Sequence, residues 1–350
     1  METGIIGLPL SGKTTLFNAL TGLAAQTSGH SGATKAVNLG DVSVPDERVD
    51  LLSAMFKPQR RVLATVRFKD LQAELGEDGG MEASTIGELR TADAITLVVR
   101  AFQDEAVPHP LESVDPVRDF HRLVDSLVFS DYAVVERRLE RLAKEGKRGD
   151  REYQRLEAVR VRLEEGKLIG GDLLSDEDRR LLSGFSFLTA KPIIVVANTG
   201  ELAADTAGLE KAAQALKLVS FVLRGDMEVE ISRLSAEDQP EFLAELGVTE
   251  PARTRFLKTI YAALDLTSFL TVGEDEVRAW SIPRGTPAAK AAGRVHTDLE
   301  KGFIRAEVVH WTELVEAGGL KEAKSSGKLR LEGKEYPVKD GDVLNIRFNL

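Results

Sequence analysis

The chain has 350 residues, enough for two or three domains, each with its own core. A 43% hydrophobic share beside 29% charged residues is that of an ordinary globular protein, and the absence of Cys excludes a disulfide framework, a thiolate metal site and a thiol nucleophile. The formal charge of −10 argues against a chain-wide grip on nucleic acid and against sequence-specific DNA binding, while leaving open one local face for an RNA assembly.

In chain order, Met1-Glu2-Thr3 passes straight into an apolar strand at 4–7, so no signal peptide is expected, and a helix is expected over 14–23. Further strands are read at 62–70 and at 94–102, "AITLVVRAF". The run "KPIIVVANTGE" at 191–201 has the β-branched, uninterrupted character of a fully buried strand. Strands separated by helices imply right-handed βαβ units and a mostly parallel sheet. Between residues 117 and 184 the pattern changes. Phe120, Leu123, Leu127, Val134, Val135, Leu139 and Leu142 recur at helical spacing, "KEGKRGD" turns the chain, and Tyr153, Leu156, Val159 and Leu163 resume the stripe. This is the pattern of a long antiparallel helical hairpin inserted into the α/β domain. Its charged faces read either as solvated surface or as a docking surface. Ser175, followed by the acidic residues 176–178, marks a further helix start. From about Leu266 short alternating segments and Gly turns describe a small β-rich domain ending in "GKLRLEGKEYPVKDGDVLNIRFNL". The expected division is 1–116 and 185–266 for the α/β domain, 117–184 for the insert and 267–350 for the C-terminal domain. A cut at Thr267 is then expected to leave the ligand affinity of the α/β domain nearly unchanged.

The longest apolar runs, such as 192–197, are too short to span a bilayer. A cytoplasmic protein with no membrane partner is the simplest expectation. The five His residues (30, 109, 121, 296 and 310) include no pair at metal-ligand spacing and read as surface or core positions.

The segment "GLPLSGKTT" at 7–15 carries the chemistry. Gly7, Gly12, Lys13 and Thr14 fit G-x-x-x-x-G-K-[ST]. The glycines let backbone N–H groups turn inward around a β-phosphate, Lys13 supplies a point charge for the β/γ oxygens, and the Thr14 hydroxyl is suited to ligate Mg²⁺. Leu10, Ser11, Gly12, Lys13, Thr14 and Thr15 are therefore the candidate phosphate contacts.

At this point the sequence resembles a known family, the YchF or Obg-like ATPases, within the translation-factor class of P-loop proteins. The resemblance runs nearly end to end. It rests on "GLPLSGKTTLFNALTG" (with Leu10-Ser11 where the family usually has Asn-Val), "VPDERVDLLSAMFKPQRRVLATVRFKD", "VERRLERLAKEGKRGD", "LTAKPIIVVANTGE" and "FLTVGEDEVRAWSIPRGTPAAKAAGRVHTDLEKGFIRAEVV". The last stretch closely matches the family's TGS domain, a ubiquitin-like β-grasp module. The fold so implied is an α/β P-loop NTPase, G-domain-like, with an inserted antiparallel helical hairpin and a C-terminal β-grasp domain.

The resemblance also implies a preference for ATP over GTP. Guanine readers use N-K-x-D, whose Asp accepts from guanine N1–H and the 2-amino group. Adenine has neither donor, and here the motif is Asn198-Thr199-Gly200-Glu201, which matches the family's N-x-x-E. Asn198, Thr199 and Glu201 are the candidate base contacts, Asn198 because its amide both donates and accepts. The alternative is that 198–201 simply ends a buried strand. In "GATKAVNLG" (32–40) the resemblance makes Thr34 a second Mg²⁺ ligand, although the Ser/Gly-rich stretch before it also reads as an ordinary surface loop. The family's D-x-x-G becomes Asp70-Leu71-Gln72-Ala73, with the following Gly-rich stretch shortened. Asp70 keeps the role of holding a water of the Mg²⁺ shell, and with Lys13 it is the candidate catalytic pair. Ala73 replaces a Gly whose N–H normally swings to the γ-phosphate. Glu74 stands next to it, where related GTPases have a water-orienting Gln, and "FVLRGDMEVEIS" (221–232) replaces the family's base-side Ser-Ala-Lys contact. Two functions follow. One is a slow Mg²⁺-dependent ATPase switch associated with the ribosome or ribosomal RNA through the TGS domain and hairpin. The other is a nucleotide-binding regulatory paralogue that does not hydrolyse.

Overall fold

The computed structural model of the chain describes residues 1–23, 25, 37–71, 81–170, 173–200, 206–235 and 237–349. Its strands in chain order are β1 (Glu2–Gly7), β2 (Asn38–Ser43), β3 (Arg60–Val62), β4 (Thr65–Asp70), β5 (Ala94–Arg100), β6 (Ile193–Thr199), β7 (Val219–Arg224), β8 (Leu266–Val272), β9 (Glu276–Pro283), β10 (Phe303–His310), β11 (Arg330–Glu332) and β12 (Asp342–Phe348). They form two six-stranded sheets, and the chain divides into two compact units: 1–41 with 67–256, and 42–66 with 257–350.

In the first unit the sheet order is β2-β4-β1-β5-β6-β7. Every residue of β5 and β6 is buried, which explains their unbroken apolar sequences: a parallel sheet covered on both faces has no solvent side for alternation to mark. β1 pairs in parallel with β4 and β5, β5 with β6, and β6 with β7. The register sets Ile5 opposite Asp70, Gly7 opposite Val98, and Arg100 opposite Asn198. The carboxyl ends of the central strands thus lie side by side. From β1 the chain goes to the edge strand β2, returns to β4 beside β1 and then crosses to β5 on the other side, so the loop after β1 occupies the switch point where open α/β sheets bind ligands.

The inserted hairpin consists of helices Pro116–Lys144 and Arg151–Glu164. Asp115 caps the first, accepting from the Arg118 amide at 3.0 Å, and Pro116 begins it where no N–H is needed. Arg138 grips Glu152 bidentately across the turn, at 2.7 and 2.9 Å. The sequence stripe is the buried face, with Val134 and Tyr153 only partly covered. Asp131 is fully buried in the long helix and accepts from the amides of Leu188 and Thr189 (3.1 and 2.8 Å) and from the Thr189 hydroxyl, just ahead of β6. Ser175 caps its helix as its sequence suggests, accepting from the Asp178 amide.

The second unit is built on the sheet β11-β10-β12-β8-β9-β3. β8 and β9 form an antiparallel hairpin, β12 returns parallel to β8, and β10 runs antiparallel to β12, which is the β-grasp arrangement. Phe269, Ile282, Phe303 and Leu344 pack under Ala288, Ala291 and Ala292 of the helix Ala288–Val295 on one face. On the other face Leu270, Val277, Val309 and Val343 meet Val49 and Leu52 of the helix Glu47–Phe56 and Leu314 of the helix Trp311–Ala317. β3 extends the sheet by pairing in parallel with β9.

Residues 42–66 therefore complete the C-terminal unit, although their place in the sequence groups them with the nucleotide domain. The strand expected at 62–70 is split for the same reason. Val62 ends β3 in one sheet, Ala64 is buried in the second unit's core with its carbonyl accepting from the Val44 amide, and β4 begins at Thr65 in the other sheet. No described helix is long and apolar enough to cross a membrane.

Candidate nucleotide-binding site

β1 ends at Gly7, and the helix Lys13–Thr21 begins after five intervening residues. Gly7 is needed for space: a Cβ there would press into the Val98 carbonyl and lie 2.6 Å from Ser11 Oγ. Gly12 is needed for conformation as well, with φ at +89° and the Asn198 amide against its Cα. Leu10 also lies in the left-handed region, at φ 61°, which is strained for a residue other than Gly or Asn. An Asn at this position would adopt that backbone more easily. The loop closes through the Ser11 amide on the Leu8 carbonyl at 3.2 Å, and the Lys13 ammonium donates to the carbonyls of Gly7 and Leu8 at 3.0 and 2.9 Å. The helix has no side-chain cap and no acidic residue in its first turn. Its leading amides, its dipole and Lys13 make this end a site for an anion.

Asp70, at the end of β4, is fully buried beside this helix. Its Oδ2 accepts from the Thr14 hydroxyl at 2.9 Å and from Asn38 Nδ2 at 3.1 Å. Its Oδ1 is buried with no hydrogen-bond partner among the described residues. A bare buried carboxylate oxygen is costly unless a cation or ordered water meets it. A Thr14 hydroxyl whose proton is committed to Asp70 keeps its lone pairs for a metal. This donor set fits Mg²⁺, which takes one or two protein oxygens and fills its octahedron with waters and phosphates. No group of three or more His, Asp or Glu suited to a metal occurs among the described residues. Asn38 was not singled out from the sequence. The signal was its place in "GATKAVNLG", a stretch read only for Thr34.

On the other side of the loop Asn198 is 4% exposed, and its amide is engaged by backbone. Nδ2 donates to the Ser11 carbonyl at 3.1 Å, and Oδ1 accepts from the Gly225 amide at 3.2 Å. One donor and one acceptor function of Asn198 thus tie the phosphate loop to the end of β7. The Thr199 hydroxyl donates to the Leu223 carbonyl at 3.2 Å. The stretch 221–232, read as a base-side loop, is instead the end of β7 followed at once by the helix Gly225–Arg233. Gly225 is close-packed there, because a Cβ would fall 2.6 Å from Asn198 Oδ1 and 3.2 Å from the Thr15 methyl. The loop residues 10–15, Asp70, Asn198 and Thr199 are thus brought together, whereas Thr34, Glu201, Gln72, Ala73 and Glu74 lie outside the described residues.

Known proteins resemble this chain along its whole length. A family model described as a 50S ribosome-binding GTPase matches residues 2–121. The model for the YchF GTPase C-terminal domain, described as a protein of unknown function, matches residues 266–349. The Ribosome-binding ATPase YchF of Bacillus subtilis is 37% identical over 366 residues, with both chains covered completely. Its namesake in Escherichia coli O157:H7 is 37% identical over 363 residues, covering 100% of this chain and 99% of the other. The chain belongs to the YchF family. The solved YchF GTPase of Schizosaccharomyces pombe superposes with a TM-score of 0.86 at 31% identity, over 99% of this chain and 97% of that one. The YchF fold read from the sequence, a P-loop α/β domain with a helical hairpin and a β-grasp C-terminal domain, is therefore the fold of this chain.

Proposed function

We propose that this chain is a slow ATPase switch that binds Mg²⁺-ATP more tightly than GTP and associates with the ribosome in the cytoplasm. The observation that carries the nucleotide half is the joined set of Lys13, the uncapped helix start and the Thr14–Asp70 bond. The amides of residues 10–15 hold the phosphates, Lys13 neutralises the β/γ oxygens, and Thr14 with Thr34 ligates Mg²⁺, whose water shell Asp70 fixes. Asn198, Thr199 and Glu201 are assigned to recognition of the base, and the lack of Asp at position 201 disfavours guanine. The ribosomal half is supported by the relatives named Ribosome-binding ATPase YchF, with the hairpin and the TGS domain (267–350) as the docking arms.

The sequence at 70–74 supports a second reading, in which the nucleotide is held without being cut. Phosphoryl transfer by a P-loop depends on positioning and electrostatics. Ala73 replaces the Gly whose amide meets the γ-phosphate, and a charged Glu74 beside that phosphate is unfavourable. Single-turnover hydrolysis of ATP and GTP with Mg²⁺, with and without ribosomes, separates the readings. Slow, ribosome-stimulated ATP cleavage is expected of the switch; tight binding without cleavage in either condition identifies the non-hydrolysing form. Titration calorimetry with non-hydrolysable analogues tests the base, and a clear GTP preference sinks the adenine assignment.

A further inference from the structure

Asp70 is held by an unequal pair of oxygens. Two donors, Thr14 Oγ1 at 2.9 Å and Asn38 Nδ2 at 3.1 Å, converge on Oδ2, while Oδ1 is buried with no hydrogen-bond partner among the described residues. Two donors on one oxygen fix the rotation of the carboxylate and so aim the other oxygen. They also fix Thr14, because a hydroxyl that donates to Asp70 turns its lone pairs elsewhere. Asn38 lies on β2, outside the phosphate loop, and reaches the site through its bond to Asp70.

We propose that Asn38 is a positioning residue for the magnesium site, locking Asp70 so that Oδ1 and the Thr14 hydroxyl are presented to Mg²⁺ and its waters. The assignment rests on the Mg²⁺-nucleotide reading above. Partners of this outer kind typically change metal affinity by about ten- to a hundredfold when removed. Without Asn38, Oδ2 retains one donor, the carboxylate can rotate, and the Thr14 proton is no longer committed in one direction.

The test is a Mg²⁺ titration of the full chain with a fluorescent ATP analogue, beside the same binding measured in EDTA. Asn38→Ala removes the donor, and Asn38→Leu removes it while keeping the side-chain volume, so that packing loss and donor loss are separated. Both variants are expected to raise the Mg²⁺ concentration for half-maximal effect by roughly tenfold or more, with nucleotide affinity in EDTA unchanged. Asn38→Gln, which retains an amide donor, is expected to recover part of the loss. A Mg²⁺ dependence in both the Ala and Leu variants equal to that of the unaltered chain overturns the role of Asn38 alone. An unaltered chain whose nucleotide affinity ignores Mg²⁺ overturns the magnesium reading, and this assignment with it.

Discussion

The two compact units solve the same problem, covering a sheet on both faces, in different ways. The nucleotide unit covers its parallel sheet with helices from its own βα segments and with the inserted hairpin, whose Asp131 clasps the chain just before β6. The C-terminal unit covers one face with its own helix Ala288–Val295 and the other with its own helix Trp311–Ala317 together with Glu47–Phe56, which comes from the stretch between Asn38 and Asp70. Val49 and Leu52 share one buried cluster with Leu270, Val277, Val309 and Leu314, so the borrowed helix is part of its core. The C-terminal unit is thus built from two stretches of the chain, 42–66 and 257–350. Both strands that carry the Asp70–Asn38 pair run directly into the segment it incorporates.

The sharpest break in this comparison is truncation at Thr267. The expectation of unchanged nucleotide affinity is withdrawn, because the cut removes the strands on which Val49, Leu52 and β3 pack. Truncated protein is expected to be poorly soluble or to lose most of its nucleotide affinity, read by thermal melting and by calorimetry with an ATP analogue. Wild-type affinity in the truncated chain would show that residues 42–66 fold without their partners.

Lys13→Ala should touch only the nucleotide unit. It removes a charge-assisted contact worth about 1.5–3 kcal/mol, so ATP affinity should fall at least tenfold while the melting temperature barely changes. Equal affinity for the variant and the unaltered chain would move the phosphate site away from this loop.

Asp340 provides the complementary test in the other unit. Its carboxylate accepts from the Ser268 amide at 2.9 Å and the Thr267 hydroxyl at 3.0 Å, and pairs with Arg48 of the borrowed segment at 2.7 Å. Burial pushes its pKa up, but the Ser268 amide, the Arg48 charge and the Thr267 hydroxyl outweigh that and hold it below the ordinary Asp value. A carboxyl lowered in the folded state stabilises above its unfolded pKa, about 4, and loses that contribution as pH falls through the folded value. Asp340→Ala should therefore cost about 1 kcal/mol at pH 7, a figure kept low because the side chain is half exposed, and the difference should vanish in strong acid. Urea melts at pH 7 and in strong acid, below pH about 2, measure both limbs, and a cost independent of pH would leave the ion pair without a role.

The smallest effect is expected at Leu10, where Asn should fit φ 61° with less strain. Leu10→Asn is expected to raise stability by about 1 kcal/mol without altering the fold, seen as a modest rise in melting temperature.

The sequence by itself determined what is local. Seven contiguous positions from Gly7 to Lys13 specify a turn, a helix start and a charge, and the apolar runs at β5 and β6 specify buried parallel strands, because spacing along the chain fixes spacing in such elements. The hairpin was legible for the same reason, its stripe and its turn being continuous. The tertiary structure alone decided which surface each buried face meets. Val49 and Leu52 mark a face that must be covered, but an amphipathic pattern is silent about which sheet covers it. Likewise the Asn38–Asp70 and Asn198–Ser11 bonds follow from strand order and register across the sheet, where a side chain's partner is chosen by the alignment of neighbouring strands and not by distance along the chain.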